Sequence, residues 1–405
     1  MKHCDVPGLN RRRWLQGVAS MLAGGMTLGS ATAGSRQAAS CPSMAWPLFD
    51  AFLQRCVQDD GRVIDISTPP MQSTSEGQAY GMVFALIANR PERFEAMWRW
   101  AVVNLAGGDI SSRLPAWQWG MRTDGGWGVL DYNPASDADL WMAYALLEAS
   151  RLWGKSAYQD QARVLLARIA VDEVMNLPGL GAMLMPAPVG FHFAEQKLWR
   201  LNPSYLPVPV LRRLAVFDPS GPWREIAHNT VRLLRECTPF GYVADWVAWQ
   251  QTGPNEGRFV ADPQFGDLGS YDAIRCYLWA GLMPAQDPSA AAVQKSLQGV
   301  VLQTEAARQP PEKVQVASGV VNGNGPVGFS AAVLPLLMSQ NRKNTASQQL
   351  MRVQGELKDK AYALSYYDHA LCLFGLGFTD KRFSFEPSGR LLTSWEKACA
   401  TTIKR

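Results

Sequence analysis

Residues 135–153 read ASDADLWMAYALLEASRLW. Two acids one residue apart open the stretch and no Pro or Gly interrupts the rest of it, so it predicts a helix. Asp137 is placed to cap the first turn, where unpaired N–H groups and the positive end of the helix dipole favour a carboxylate. Leu140, Tyr144, Leu147 and Arg151 mark the alternating faces beyond it. A run this apolar belongs to the inner wall of a helical fold.

Extending outward by apolar spacing and by Pro, Gly or Asn breaks gives twelve helix-like segments. They fall near 45–56, 77–88, 91–105, 137–153, 156–173, 205–217, 222–237, 270–282, 288–307, 328–339, 345–358 and 364–376, with little strand expected between them. Links 89–90, 154–155, 218–221, 283–287 and 340–344 hold two to five residues, the length of a tight αα-hairpin. Links 57–76, 106–136, 174–204, 238–269 and 308–327 are long, and 359–363 is short. This alternation predicts an all-α fold, an (α/α)6 barrel of six helical hairpins. Every even-numbered helix then starts at the long-loop end, where a rigid scaffold carries its functional site. No Ser/Gly linker, charge run or shift of composition marks a boundary, so 34–405 reads as one domain.

The 405 residues carry a formal net charge of +4, of which Lys2, Arg11, Arg12 and Arg13 against Asp5 hold +3 within the first 33. The remainder is near neutral, which removes the electrostatic argument for a nucleic-acid partner. Residues 1–33 have the form of an export signal: NRRRWLQ from Asn10 to Gln16, a weakly apolar stretch to Leu28, and Ala31-Thr32-Ala33 as cleavage site. Arg11 and Arg12 followed by Trp14 and Leu15 resemble a twin-arginine signal. No other stretch approaches the roughly 18 apolar residues of a membrane span, so a periplasmic or secreted protein is expected.

In such a compartment Cys41 and Cys399, at the two ends of the mature chain and outside the periodic segments, are expected to pair. Cys56, Cys237, Cys276 and Cys372 lie in apolar or helical contexts and read as buried thiols. Fifteen Trp in a chain without basic runs suggest flat apolar surfaces, for which sugar rings are one candidate ligand.

The starts of the even-numbered helices hold the polar residues that stand out. They bring Glu76, Asp137 and Asp272 to one end of the ring from distant segments. Two carboxyl groups flanking one bond are what glycoside hydrolysis needs, one to protonate the leaving oxygen and one to activate water. Competing signals are weak. Gly323 to Gly328 matches G-x-G-x-x-G but lacks a βαβ context, so no dinucleotide cofactor is expected. The four His are scattered without metal-ligand spacing. A metal role for Asp137-x-Asp139 is the weaker alternative, and no G-x-S-x-G anchors a serine triad.

The chain also resembles glycoside hydrolase family 8. The family signature A-[ST]-D-[AG]-D, two positions, [IM]-A, then small and apolar residues to Trp, fits Ala135–Trp153 at each constrained position. The resemblance runs on through SEGQAYGM, LPAWQWG, NPSY, SYDAIR and NGPVGFSAA, and within the family it is greatest to endoglucanases encoded with bacterial cellulose synthase. It implies an inverting (α/α)6 enzyme that cuts β-1,4-glucan chains without a cofactor. It also implies action in support of cellulose synthesis, with the synthase machinery as a further partner; a monomer is expected. Glu76 then resembles the general acid, its pKa raised by burial and neighbouring carboxylates, and Asp272 the general base. Asp137 resembles the central carboxylate that positions sugar and water. Arg275 is placed to steady Asp272, Tyr205 to hydrogen-bond water or a sugar hydroxyl, and Trp117 to stack a sugar ring, with Tyr366 and Tyr367 next to it in rank. The family pattern has Asn where Asp368 stands. The same fold in this family also serves xylan, chitosan and mixed-linkage glucan, and a non-catalytic glucan-binding scaffold is the alternative from outside enzymes.

Overall fold

Several helices of this chain are apolar on every side, which requires that other helices enclose them. The computed structural model describes residues 41, 43–68, 71–360 and 364–402. Its fourteen helices among the described residues are α1 (Pro47–Cys56), α2 (Ser75–Ile87), α3 (Pro91–Asn104), α4 (Ser136–Trp153), α5 (Ser156–Asp172), α6 (Val208–Phe217), α7 (Trp223–Glu236), α8 (Ala273–Leu282), α9 (Ala290–Ser296), α10 (Gln298–Ala307), α11 (Val327–Ser339), α12 (Lys343–Lys360), α13 (Tyr366–Thr379) and α14 (Ser394–Thr402).

An inner ring runs α2, α4, α6, α8, α11, α13, each packed on the next. Phe374 of α13 closes it against Tyr80 and Phe84 of α2, with ring centroids 5.1 and 4.7 Å apart. Outer helices α3, α5, α7, α9 and α12 pack on the inner helices that precede them, and α1 packs on α13. The fold is therefore the expected (α/α)6 barrel. Every residue from Ser136 to Ala149 of α4 and from Ala273 to Leu282 of α8 is buried. At the axis Trp141, Trp279 and Phe374 meet, with Trp279 5.2 Å from each of the other two rings. Neighbouring inner helices approach closely: a methyl on Gly375 would lie 2.0 Å from the Ala331 carbonyl oxygen. That same carbonyl is the one to which Pro335, four residues on within α11, cannot donate.

Three expectations need correction. Strand is not scarce, since five small antiparallel sheets of two to four strands are present among the described residues. Four of the five lie in the long links, where hairpins such as Ala116–Met121 with Trp127–Pro134 stand half-exposed without the clean alternation that reveals a strand in sequence. The segment 288–307 is two helices, broken at Leu297, because Gly299 packs so tightly under the 240–241 turn that a methyl there would lie 2.2 Å from the Phe240 carbonyl oxygen. Asp137 is not the cap of α4: Ala135 occupies that position and Asp137 sits inside the first turn. The helix α14 lies beyond the last of the expected segments.

The export signal at 1–33 lies outside the described residues. Cys41 and Cys399 are disulfide-bonded, their Cα atoms 5.8 Å apart, and Cys56, Cys237, Cys276 and Cys372 are free. Among the described residues no helix is long and apolar enough to cross a membrane.

Candidate active site

The site sits at the N-terminal ends of the inner helices, where unpaired N–H groups and converging dipoles favour negative charge. Glu76 lies in the first turn of α2, whose cap is Thr74, its Oγ1 accepting the Gly77 N–H at 3.1 Å. Asp137 lies in the first turn of α4, 2% exposed, with Oδ1 accepting the Ala138 N–H at 2.8 Å. Its Oδ2 has no protein hydrogen-bond partner. Asp272 immediately precedes α8, and Arg275 lies one turn later.

Arg275 gathers these groups. Its Nη1 donates to Glu76 Oε2, and its Nη2 donates to Asp272 Oδ1 at 2.7 Å and to Ser204 Oγ at 3.0 Å. Asn202 Nδ2 donates to Asp272 Oδ2 at 3.2 Å, so both oxygens of that carboxylate are held. Ser204 Oγ donates in turn to Asn202 Oδ1 at 2.7 Å. Side-chain exposure falls from 34% for Asp272 and 21% for Glu76 to 7% for Arg275. The base candidate thus meets solvent at the rim while Asp137 forms the floor.

One guanidinium among three carboxyls cannot neutralise all of them. Burial pushes the Glu76 carboxyl above its usual range; Arg275 opposes this and Asp272 adds to it. Burial, then Glu76, pushes Asp137 up to about 7. Burial and nearby carboxylates also raise Tyr80, Tyr205 and Tyr366, which therefore remain hydroxyl donors.

Tyr205 faces the cluster, with the Arg275 guanidinium carbon 6.0 Å from its ring centre. Tyr366 is buried beside the first turn of α2, where a methyl on Gly77 would sit 3.2 Å from its hydroxyl. Tyr367 is half-buried and donates to the Tyr271 carbonyl at 2.6 Å. Trp117 is half-buried on the strand Ala116–Met121, which pairs with Ser73–Thr74 just before Glu76. Asp368 is engaged in the scaffold, accepting the Gly328 N–H and the Ser365 hydroxyl, both at 2.9 Å. Asp139 is turned to a different partner, Glu173.

Sequence reasoning misses Asn202, although it stands inside NPSY; nothing local marks it as the partner of Asp272. It also misses Trp127, 48% exposed and stacked on Trp119 at 5.4 Å, with Arg62 4.4 Å from the Trp119 ring centre. The Trp-rich composition is the only signal that could have found it.

An (α/α)6 barrel with a carboxyl–arginine cluster at its mouth has the paired carboxyls that a hydrolase of glycosidic bonds needs. Residues 25–381 match the sequence profile of glycosyl hydrolases family 8, and the chain belongs to that family. It is 44% identical to an endoglucanase of Pseudomonas fluorescens, covering 91% of this chain and 95% of that one. It is also 44% identical to an endoglucanase of Xanthomonas axonopodis pv. citri, covering 97% and 100%. The crystal structure of an endo-1,4-D-glucanase from Vibrio fischeri is 40% identical with a TM-score of 0.82, covering 87% of this chain and 99% of that one.

Proposed function

We propose that this protein is an endo-β-1,4-glucanase that cleaves internal bonds of cellulose chains with inversion. The observation that carries this reading is the single Arg275 guanidinium spanning Glu76 and Asp272 above the buried Asp137. Inversion needs an acid and a base far enough apart to admit a water beside the sugar, and here the two carboxyls contact different arms of one guanidinium. Glu76, its pKa raised by burial, protonates the leaving glycosidic oxygen. Asp272, oriented by Arg275 and Asn202 at the solvent-facing rim, takes a proton from the attacking water. Asp137 offers its unpartnered Oδ2 to a sugar hydroxyl or that water, and Tyr205 donates to the same pair. Trp117, Tyr366 and Tyr367 flank the glucan chain. The relatives named above support the substrate class.

The protein is exported through its twin-arginine-like leader to act in the periplasm or outside the cell, in support of cellulose synthesis. The disulfide supports an oxidising compartment. Proton NMR of the first anomer released from cellopentaose tests chemistry and stereochemistry together. An initial α anomer is expected, and an initial β anomer overturns the role assignments. Turnover of xylan, chitosan or mixed-linkage glucan with none of carboxymethylcellulose overturns the substrate.

A further inference from the structure

The residue before α8 is the proposed base, yet α8 has no cap of its own: Asp272 occupies the cap position in helical geometry and makes no capping hydrogen bond. The free N–H groups at that end are instead taken by a side chain from elsewhere in the chain. Asp245 Oδ1 accepts the N–H groups of Ser270 at 2.8 Å, Asp272 at 3.1 Å and Ala273 at 2.7 Å. One carboxylate oxygen therefore fixes three backbone donors bracketing Asp272, from a residue 27 positions earlier.

The segment carrying Asp245 is itself clamped to α8. The Asp245 N–H donates to the Leu268 carbonyl at 2.8 Å, and the Val243 N–H to the Tyr277 hydroxyl on α8 at 3.2 Å. The two chain segments lie so close that a methyl on Gly269 would stand 2.2 Å from the Val243 carbonyl oxygen. Asp245 thus locates the backbone of Asp272, while Arg275 and Asn202 locate its carboxylate.

We infer that Asp245 is a positioning residue for the general base: it touches no substrate and acts by fixing the backbone from which Asp272 projects. This rests on the assignment of Asp272 as base. The charge assists the three hydrogen bonds, but the acceptor geometry is the essential part. Asp245→Asn keeps an acceptor oxygen of the same shape, whereas Asp245→Leu keeps the branching at the same heavy-atom count and removes the acceptor.

The test uses the full chain, with far-UV circular dichroism and thermal unfolding to establish folding, and kcat and KM on cellopentaose. Asp245→Leu is expected to lower kcat about 10- to 100-fold, the scale of a misplaced catalytic group, with KM little changed. Asp245→Asn is expected to lose no more than about fivefold, the difference between a charged and a neutral acceptor. Added to Asp272→Asn, Asp245→Leu is expected to cause no further loss, because it acts through the group already removed. A folded Asp245→Leu protein with kcat within about twofold of the parent, or with only KM raised, overturns the inference. If Asp245→Leu does not fold, Asp245→Asn decides: a loss as large as that of Asp272→Asn overturns the inference, since the acceptor is retained. An active Asp272→Asn protein overturns the base assignment instead, so the two failures are told apart.

Discussion

Arg275 on α8 donates to Glu76 on α2 from 199 residues further along the chain, while the other arm of the same guanidinium holds Asp272. The acid and base of the proposed reaction are thus tied to one cation. Because Arg275 pulls the Glu76 pKa down against the effect of burial, removing it raises that pKa further. Glu76 works protonated, so the alkaline limb of kcat/KM moves to higher pH in Arg275→Gln. Activity at the optimum falls roughly 100-fold as both carboxyls lose their common support. A pH–rate profile on carboxymethylcellulose checks this, and an alkaline limb that stays in place or moves down contradicts it.

Glu76→Gln removes the transferable proton while keeping the shape. Turnover is expected to drop roughly 10²–10⁴-fold or more, with cellopentaose binding by calorimetry preserved. The same substitution reaches Asp137, whose pKa of about 7 owes its second-largest contribution to the neighbouring Glu76 charge. In Glu76→Gln the Asp137 midpoint, tracked by carboxyl carbon NMR, shifts downward. An unmoved midpoint means that the two carboxyls do not interact.

How much of this was legible in the chain depends on the range of each interaction. The barrel was legible because helix periodicity and link length are local properties, and the inner helices declare themselves by being apolar all round. The convergence of Glu76, Asp137 and Asp272 at one end of the ring was legible because each sits in a distinctive short motif at a helix start. The ion pair between Arg275 and Glu76 was not, since no spacing rule connects residues on opposite sides of a ring; only the pairing of Arg275 with Asp272, one turn apart, is given by helix geometry. The capping role of Asp245 was hidden for the same reason. The hairpins were hidden because their burial does not alternate, Trp127–Pro134 being half-exposed along its length and Leu198–Leu201 buried throughout, and α14 because a short helix depends on tertiary anchors. One of these is Glu396, which pairs with Arg151 at 2.6 Å and with Arg390 at 3.0 Å.

The disulfide lies at the end of the barrel opposite the site. The Cys41 carbonyl accepts from Asn89 at 2.7 Å, in the tight link between α2 and α3, while the site occupies the long-loop end. Closing a separation of 358 residues constrains the unfolded chain strongly. Cys41→Ser/Cys399→Ser is therefore expected to lose about 2–4 kcal/mol of stability with kcat unchanged at a temperature where the variant stays folded. Calorimetry with and without reductant, alongside the cellopentaose assay, separates the two effects. A fall in kcat without a fall in Tm contradicts the assignment of this bridge to stability.

Asp139 of α4 and Glu173, just after α5, are both fully buried and stand within interaction range of each other. They lie outside ideal hydrogen-bond geometry, with no other hydrogen-bond partner for either carboxyl. Burial, then each other's charge, holds both well above the usual carboxyl range, so the folded protein keeps protons here that the unfolded chain releases. Groups raised in the folded state contribute stability that is intact below the ordinary carboxyl pKa of about 4 and is lost as pH climbs through the raised values. Tm is therefore expected to decline across that rise. Glu173→Gln, which supplies a neutral amide to Asp139, is expected to flatten the decline. Thermal unfolding of parent and variant over a pH series measures it, and parallel curves would show that the pair does not hold the proton.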